Sequence, residues 1–355
     1  MANTSPGAPV FYGQDAYDNL NVYLTENKAS QIFILVDSNT HNYCLSAFMS
    51  KLHTDSPIEV IEIEAGEENK NLDTCNQVWN ALSELGADRK SMILNLGGGV
   101  VTDLGGFVAS CFKRGISYIN IPTTLLAMVD ASVGGKTGVD LGNLKNQIGV
   151  INNSQMVLID SAFLNSLPAN EMRSGLAEIL KHGLISDEGY WNKLIALADL
   201  NLEDLDEIIE ESVKIKADIV AQDPEEKNLR KTLNYGHTLG HAIESYFLTH
   251  TTKKSLLHGE AVAAGMVLAT YISSTLKGFP QEKLKQVTSS ILNMYGKIEF
   301  SQGDIQEIIE LMKYDKKNEY GKINFVLLED IAKPHIDCLV PNEVIFDAFI
   351  FYRKF

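Results

Sequence analysis

The stretch SMILNLGGGVVTDLGGFVASCF, residues 91–112, decides the architecture of the first half of the chain. Its first six residues are mostly apolar and too few for a helix, the pattern of a strand buried on both faces of a parallel sheet. Gly97, Gly98 and Gly99 follow as a turn, and residues 100–112 leave it with the pattern of a helix. A glycine turn between strand and helix presents backbone N–H groups to a pyrophosphate. The match to the dinucleotide fingerprint G-x-G-x-x-G is incomplete, because Thr102 stands at the third glycine. A tight turn without a ligand fits the same residues.

Working outward, IFILV (32–36) is a second apolar run and ends at Asp37, IEVIEIE (58–64) alternates like a strand, and residues 71–85 carry helical periodicity. Alternating strand and helix signals predict an open α/β sheet with ligands where strands end. On the far side lies IPTTLLAMVDASVGGKTGVDLGNLKNQIG (121–149). Its paired threonines, adjacent glycines and isolated lysines suit a loop that brings backbone and cations against phosphate oxygens. A flexible linker is the plain alternative.

From Pro168 onward helical patterns take over. NEMRSGLAEILKHGLIS (170–186) places Glu178, Lys181 and His182 within one turn, and a second helix over 203–221 contains Lys216. RKTLNYGHTLGH (230–241) puts Arg230, Asn234, His237 and His241 at i, i+4, i+7 and i+11. This spacing predicts one polar face on a helix spanning roughly 229–247. Gly236 and Gly240 each cost such a helix about 1 kcal/mol, which implies that something approaches the backbone closely. An exposed stripe with two surface histidines is the alternative. His258 begins HGEAVAAGMVLATYIS, rich in Ala and Gly as a tightly packed buried helix would be. Two imidazoles and a carboxylate, His237, His258 and Glu178, leave one coordination position open, as catalytic zinc sites do. Their spacing is not HExxH and does not establish the site. His250 is a rival for the third position.

The chain has 355 residues, which predicts two domains, at 1–167 and 168–355. Composition is that of a globular protein, 45% hydrophobic and 21% charged. The net charge of -16 argues against generic nucleic-acid binding but not against an anionic small substrate met by focused cations. The N-terminal residues carry no secretion pattern, and no apolar run reaches membrane-span length. Cys44, Cys75, Cys111 and Cys338 are scattered without a CxxC pair, as reduced thiols of a cytoplasmic protein would be.

Read together, GGGVVTDLGGF, RGISYINIPTTLLAMVDASVGGKTGVD, NLKNQIG, LPANEMRSGLAEILKHG, LRKTLNYGHTLGHAIE, HGEAVAAGM and DKKNEYGKINFVLL resemble the 3-dehydroquinate synthase family over about residues 30–330. The resemblance implies a Rossmann-like α/β N-terminal nucleotide-binding domain and a mostly α-helical C-terminal metal-binding domain, shared with the iron-type polyol dehydrogenases. It implies conversion of 3-deoxy-D-arabino-heptulosonate 7-phosphate to 3-dehydroquinate and phosphate, with catalytic NAD and a divalent metal, zinc or cobalt. Transient oxidation by NAD, phosphate elimination, reduction and intramolecular aldol closure are the implied steps.

By motif, Glu178, His237 and His258 match the family's metal ligands. Matched to NAD are Asp37, Asn39, Glu67, Lys70, Gly98, Gly99, Val100, Val101, Thr102, Asp103, Thr123, Thr124, Asp130, Lys136 and Lys145, with Phe163 and Ser166 nearby. Matched to the substrate's phosphate and carboxylate are Lys136, Asn146, Lys216, Arg230, Asn234, His241 and one of Lys316 and Lys317. Lys181 is expected beside the metal-bound hydroxyls, and Arg114 to reach a neighbouring subunit's site in a homodimer. Ala65, Met128 and Asp140 depart from the family's usual residues around the nucleotide. The resemblance also extends to other sugar phosphate cyclases, such as aminodehydroquinate and inosose synthases, and to NAD-linked polyol dehydrogenases. Lys136, Lys216 and Arg230 favour a carboxylate-bearing substrate over an inosose precursor. Net NADH would mark a dehydrogenase.

Overall fold

Short apolar runs bounded by glycine, aspartate and asparagine become strands in the first half, and longer amphipathic stretches become helices. The computed structural model describes residues 7–142, 144–197, 202–250, 253–312 and 323–355. The chain divides into two units, Met1–Pro168 and Ala169–Phe355.

In the first unit, β1 (Val10–Tyr12), α1 (Gly13–Glu26), β2 (Ile32–Asp37), β3 (Ile58–Ile63), α2 (Leu72–Glu84), β4 (Met92–Gly97), α3 (Gly99–Cys111) and β5 (Ser117–Pro122) succeed one another. β6 (Lys136–Leu141), β7 (Leu144–Ile151) and β8 (Val157–Ile159) complete it. Six strands form a parallel sheet in the order β1-β8-β5-β4-β2-β3. β4 is buried along its whole length. β3 alternates because it is the edge strand, and its outward glutamates discourage pairing with another chain.

The strand order reverses between β2 and β4: β2 leads to β3 on one side and β4 to β5 on the other. Asp37 and Gly97 therefore close two strands that flank the switch point, where open α/β sheets bind ligands. The core under α2 and α3 is built from Phe33, Leu35, Ile93, Leu104 and Val108 among others. A Cβ on Gly105 would lie 2.0 Å from Asn95 Oδ1 and 2.8 Å from a Leu35 methyl. Gly105 thus performs the close helix-to-sheet packing that the fingerprint assigns to its third glycine, where this chain has Thr102.

The expected loop at 121–149 is irregular only in its first half. Ala127–Ala131 winds a π-type turn, and then β6 and β7 pair as an antiparallel hairpin. β7 is exposed or half-buried throughout, so no apolar alternation announced it.

The second unit contains α4 (Ala169–Ser186), α5 (Glu188–Ala196), α6 (Leu202–Gln222), α7 (His237–Thr249), α8 (His258–Lys277), α9 (Gln281–Tyr295) and α10 (Gln302–Leu311). An antiparallel pair, β9 (Asn324–Asp330) and β10 (Lys333–Leu339), precedes α11 (Asn342–Lys354). α8 is the central element, packed against α4, α7, α9, α11 and β9. Its Ala and Gly run, from Gly259 to Ala269, is buried without a break among residues 261–269. Among the described residues no helix is long and apolar enough to cross a membrane. All four cysteines are free thiols.

Candidate active site

Three helices of the second unit converge on one point. Glu178, on α4, is fully buried, and its Oε1 lies 3.2 Å from His237 Nε2 and 3.4 Å from His258 Nε2. Glu178 Oε2 is taken by the ammonium of Lys181, one turn further along α4. Oε1 accepts no well-formed hydrogen bond, which leaves a buried anionic oxygen aimed between two imidazoles. Burial alone would raise the Glu178 pKa; Lys181 and His237 outweigh it and hold the carboxyl well below the usual range.

The imidazoles are oriented from behind. His237 Nδ1 lies 3.1 Å from the Tyr235 carbonyl, so it donates there and leaves the Nε2 lone pair toward Glu178. His258 Nδ1 lies 3.2 Å from Glu244 Oε2. Burial would lower the His258 pKa, but the carboxylates of Glu244 and Glu178 outweigh it and raise the ring to about 10. A carboxylate and two imidazoles with one position left open are the donor set of a catalytic divalent cation, which would take the place of the proton that His258 Nε2 otherwise holds, and these residues fit one. His241 joins the cluster: its ligand atom and those of His237 and His258 lie within 4.8 Å of one another.

The local sequence explains the convergence. The expected continuous helix over 229–247 is instead a 3-10 turn at Leu229–Asn234, then Gly236 with φ 77°, then α7 beginning at His237. The break is enforced by α8, because a Cβ on Gly236 would sit 3.0 Å from the Met266 backbone nitrogen. Only His237 and His241 therefore keep the predicted shared helical face. Gly259, beside His258, has the same purpose toward α4: a Cβ there would meet the Ser174 backbone at 2.3–2.7 Å. Its N–H donates to Ser174 Oγ at 3.0 Å. His250, at the far end of α7, lies against the Tyr246 ring at 5.2 Å and outside this cluster.

The chain is similar to known proteins over most of its length. The profile of the 3-dehydroquinate synthase N-terminal domain matches residues 60–174, and that of the C-terminal domain matches 175–318. The chain is 43% identical over 343 residues to the 3-dehydroquinate synthase of Parabacteroides distasonis, covering 96% of each chain. This chain belongs to the 3-dehydroquinate synthase family. The fold agrees with that of 2-epi-5-epi-valiolone synthase from Streptomyces hygroscopicus, solved with NAD+ and Zn2+ bound. That likeness has a TM-score of 0.86 at 25% identity and covers 100% of this chain and 99% of the other. An iron-containing alcohol dehydrogenase from Thermotoga maritima shares the fold at a TM-score of 0.66 and 15% identity, with 100% and 99% covered.

The other residues that the sequence motifs nominate fall into two groups. In the second unit, Lys216 is buried on α6. Arg230 is 2% exposed, with its backbone N–H on Asp223 at 3.0 Å and Nη1 on the Pro224 carbonyl at 2.7 Å. Asn234 donates to Glu226 at 2.8 Å. Lys316 and Lys317 lie outside the described residues.

In the first unit, Gly98 precedes α3 as its cap, so the N–H groups of its first turn, from Gly99 through Val100 and Val101, have no side-chain cap. Thr102 bonds back to the Gly98 carbonyl within that turn. Thr123 N–H donates to the Gly97 carbonyl at 3.0 Å, and Thr124 Oγ1 accepts from Ala127 N–H at 3.2 Å. Asp130 lies in the π-type turn. Asp37 caps the short helix that carries Asn39. Lys70 is buried and donates to Asp103 and to Asn146 Oδ1, both at 2.7 Å. Burial would lower the Lys70 pKa, but Asp103 and Glu67 outweigh it and keep an ammonium there. Lys145 donates to Glu67 at 2.9 Å. Lys136 is exposed at the start of β6, and Phe163 and Ser166 follow β8 in a 3-10 turn. Lys113 and Arg114 both have positive φ, 49° and 71°, in an exposed turn after α3. Two successive non-glycine residues in that region store about 1–3 kcal/mol each.

Glu244 was not singled out from the sequence. Its signal was legible as the last residue of LRKTLNYGHTLGHAIE, at i+7 from His237 on the same helical face.

Proposed function

We propose that this family member converts 3-deoxy-D-arabino-heptulosonate 7-phosphate to 3-dehydroquinate and phosphate, holding NAD on the first unit and one divalent cation, zinc or cobalt, on the second. The observation that carries the reading is the meeting of Glu178 Oε1 with the Nε2 atoms of His237 and His258. When bound, NAD takes up and returns a hydride and the cation polarises adjacent substrate oxygens as a Lewis acid.

The chain's own residues supply binding and orientation. Glu178, His237 and His258 hold the cation; Lys181, paired with Glu178, keeps that carboxylate ionised in a buried place. Lys136, Asn146, Lys216, Arg230, Asn234, His241 and one of Lys316 and Lys317 bind the phosphate and carboxylate. Arg230 is prearranged for this by its contacts to residues 223–224. The Gly98 to Asp103 turn, Asp37, Asn39, Glu67, Lys70, Thr123, Thr124, Asp130 and Lys145 bind the nucleotide, beside Phe163 and Ser166. Arg114 serves the active site of a second subunit in a homodimer. A net charge of -16 coexists with this because cations are gathered in the matched motifs.

The test supplies the heptulosonate phosphate with NAD and zinc and follows phosphate, dehydroquinate and NADH together. Equal release of phosphate and dehydroquinate without net NADH is expected. Accumulating NADH without phosphate release would instead indicate a polyol dehydrogenase.

A further inference from the structure

Glu244 is 6% exposed, surrounded on its own helix by buried Ala242, Ile243, Tyr246 and Phe247. A carboxylate in such surroundings costs several kcal/mol unless it is paired. Its Oε2 lies 3.2 Å from His258 Nδ1, while the other nitrogen of that ring lies 3.4 Å from Glu178 Oε1. The partner imidazole is supported differently, with His237 Nδ1 on a neutral backbone carbonyl at 3.1 Å. Both rings aim Nε2 at one oxygen, and His258 has a carboxylate behind it.

Glu244 also sits on the helix that carries His237, whereas His258 opens the next one. The contact therefore joins a residue of α7 to the imidazole of α8. From this geometry we propose that Glu244 is a positioning residue for the cation: it fixes His258 with its proton on Nδ1, strengthens Nε2 as a donor, and holds α7 and α8 in the register that lets both imidazoles meet one ion. This rests on the reading that Glu178, His237 and His258 bind a divalent cation. Carboxylate support of a ligating histidine is worth about 10–100-fold in metal affinity elsewhere.

The experiment compares wild type with Glu244→Ala and Glu244→Gln, titrating zinc against a competing chelator and recording the visible ligand-field spectrum of the cobalt form. Wild type should bind one zinc per chain. Glu244→Ala should bind it about 10–100-fold more weakly, with an altered cobalt spectrum and turnover recovered by excess zinc. Glu244→Gln, whose amide oxygen still accepts from Nδ1, should weaken binding less, and it carries the test should the alanine variant not fold. Zinc affinity and a cobalt spectrum unchanged in both variants would overturn the proposal. Wild type that takes up no zinc would overturn both this role and the metal-site reading beneath it.

Discussion

Replacing Gly259 by alanine is a one-methyl perturbation whose outcome follows from the crossing of α8 over α4. The new Cβ would stand 2.3 Å from the Ser174 carbonyl oxygen and 2.4 Å from its Cα, where ordinary contact begins near 3.4 Å. The obstacle is backbone, so no side chain can turn aside; the two helices must separate by about 1 Å. That separation also stretches the Gly259 N–H bond to Ser174 Oγ, now 3.0 Å. Overpacking of this kind costs about 1–3 kcal/mol. The displacement falls on His258, the adjacent residue, and moves Nε2 away from Glu178. An error of about 1 Å in a reacting site can cost on the order of 100-fold in rate. Gly259→Ala should therefore melt several degrees lower, bind zinc at least about 10-fold more weakly and lose most of its kcat at fixed zinc. Thermal unfolding, chelator competition and steady-state assays would measure the three. A variant with wild-type zinc affinity and kcat would refute the claim that the Ser174–Gly259 crossing sets the ligand geometry.

Glu178→Gln removes the anionic oxygen and strands the buried Lys181 ammonium; a loss of about 3–5 kcal/mol in stability and of stoichiometric zinc binding should appear in denaturant melts and metal analysis. Arg230→Ala should lower kcat/KM for the heptulosonate phosphate at least about 10-fold, through a lost charge-assisted contact; unchanged kinetics would remove Arg230 from the site. Asp304, in the first turn of α10, accepts from the N–H of the capping residue Ser301 at 2.8 Å, from Tyr246 Oη at 2.7 Å and from Lys253. Burial would raise its pKa, but Lys253 and the Ser301 N–H outweigh it and hold the carboxyl far below the usual range. A depressed folded pKa contributes stability above the unfolded value of about 3.9 and loses it as pH falls toward the folded one. The gap in melting temperature between wild type and Asp304→Asn should therefore be constant above about pH 5 and narrow below it; a gap that widens in acid would contradict this.

Much of the parallel sheet was legible because β2 and β4 are short, mostly apolar runs ending at Asp37 and Gly97, as strands buried on both faces are. The three-residue strands β1 and β8 were not, being too short to show a period. The β6–β7 hairpin hid behind glycines and isolated lysines that mark a loop in most settings. In the second unit the candidate ligand residue types were readable one by one, but their meeting was not, since it depends on contacts between α4, α7 and α8. The break at Gly236 was hidden for the same reason: its left-handed backbone before α7 is dictated by Met266, thirty positions on. Glu244 escaped because a single acidic residue on a helix is ordinary until its neighbour His258 is placed against it.

The most direct test is a crystal structure of the zinc-loaded protein with anomalous data at the zinc edge. A single peak about 2 Å from Glu178 Oε1, His237 Nε2 and His258 Nε2 is expected. A zinc site elsewhere, or one held by the three histidines with Glu178 left on Lys181 alone, would contradict the account.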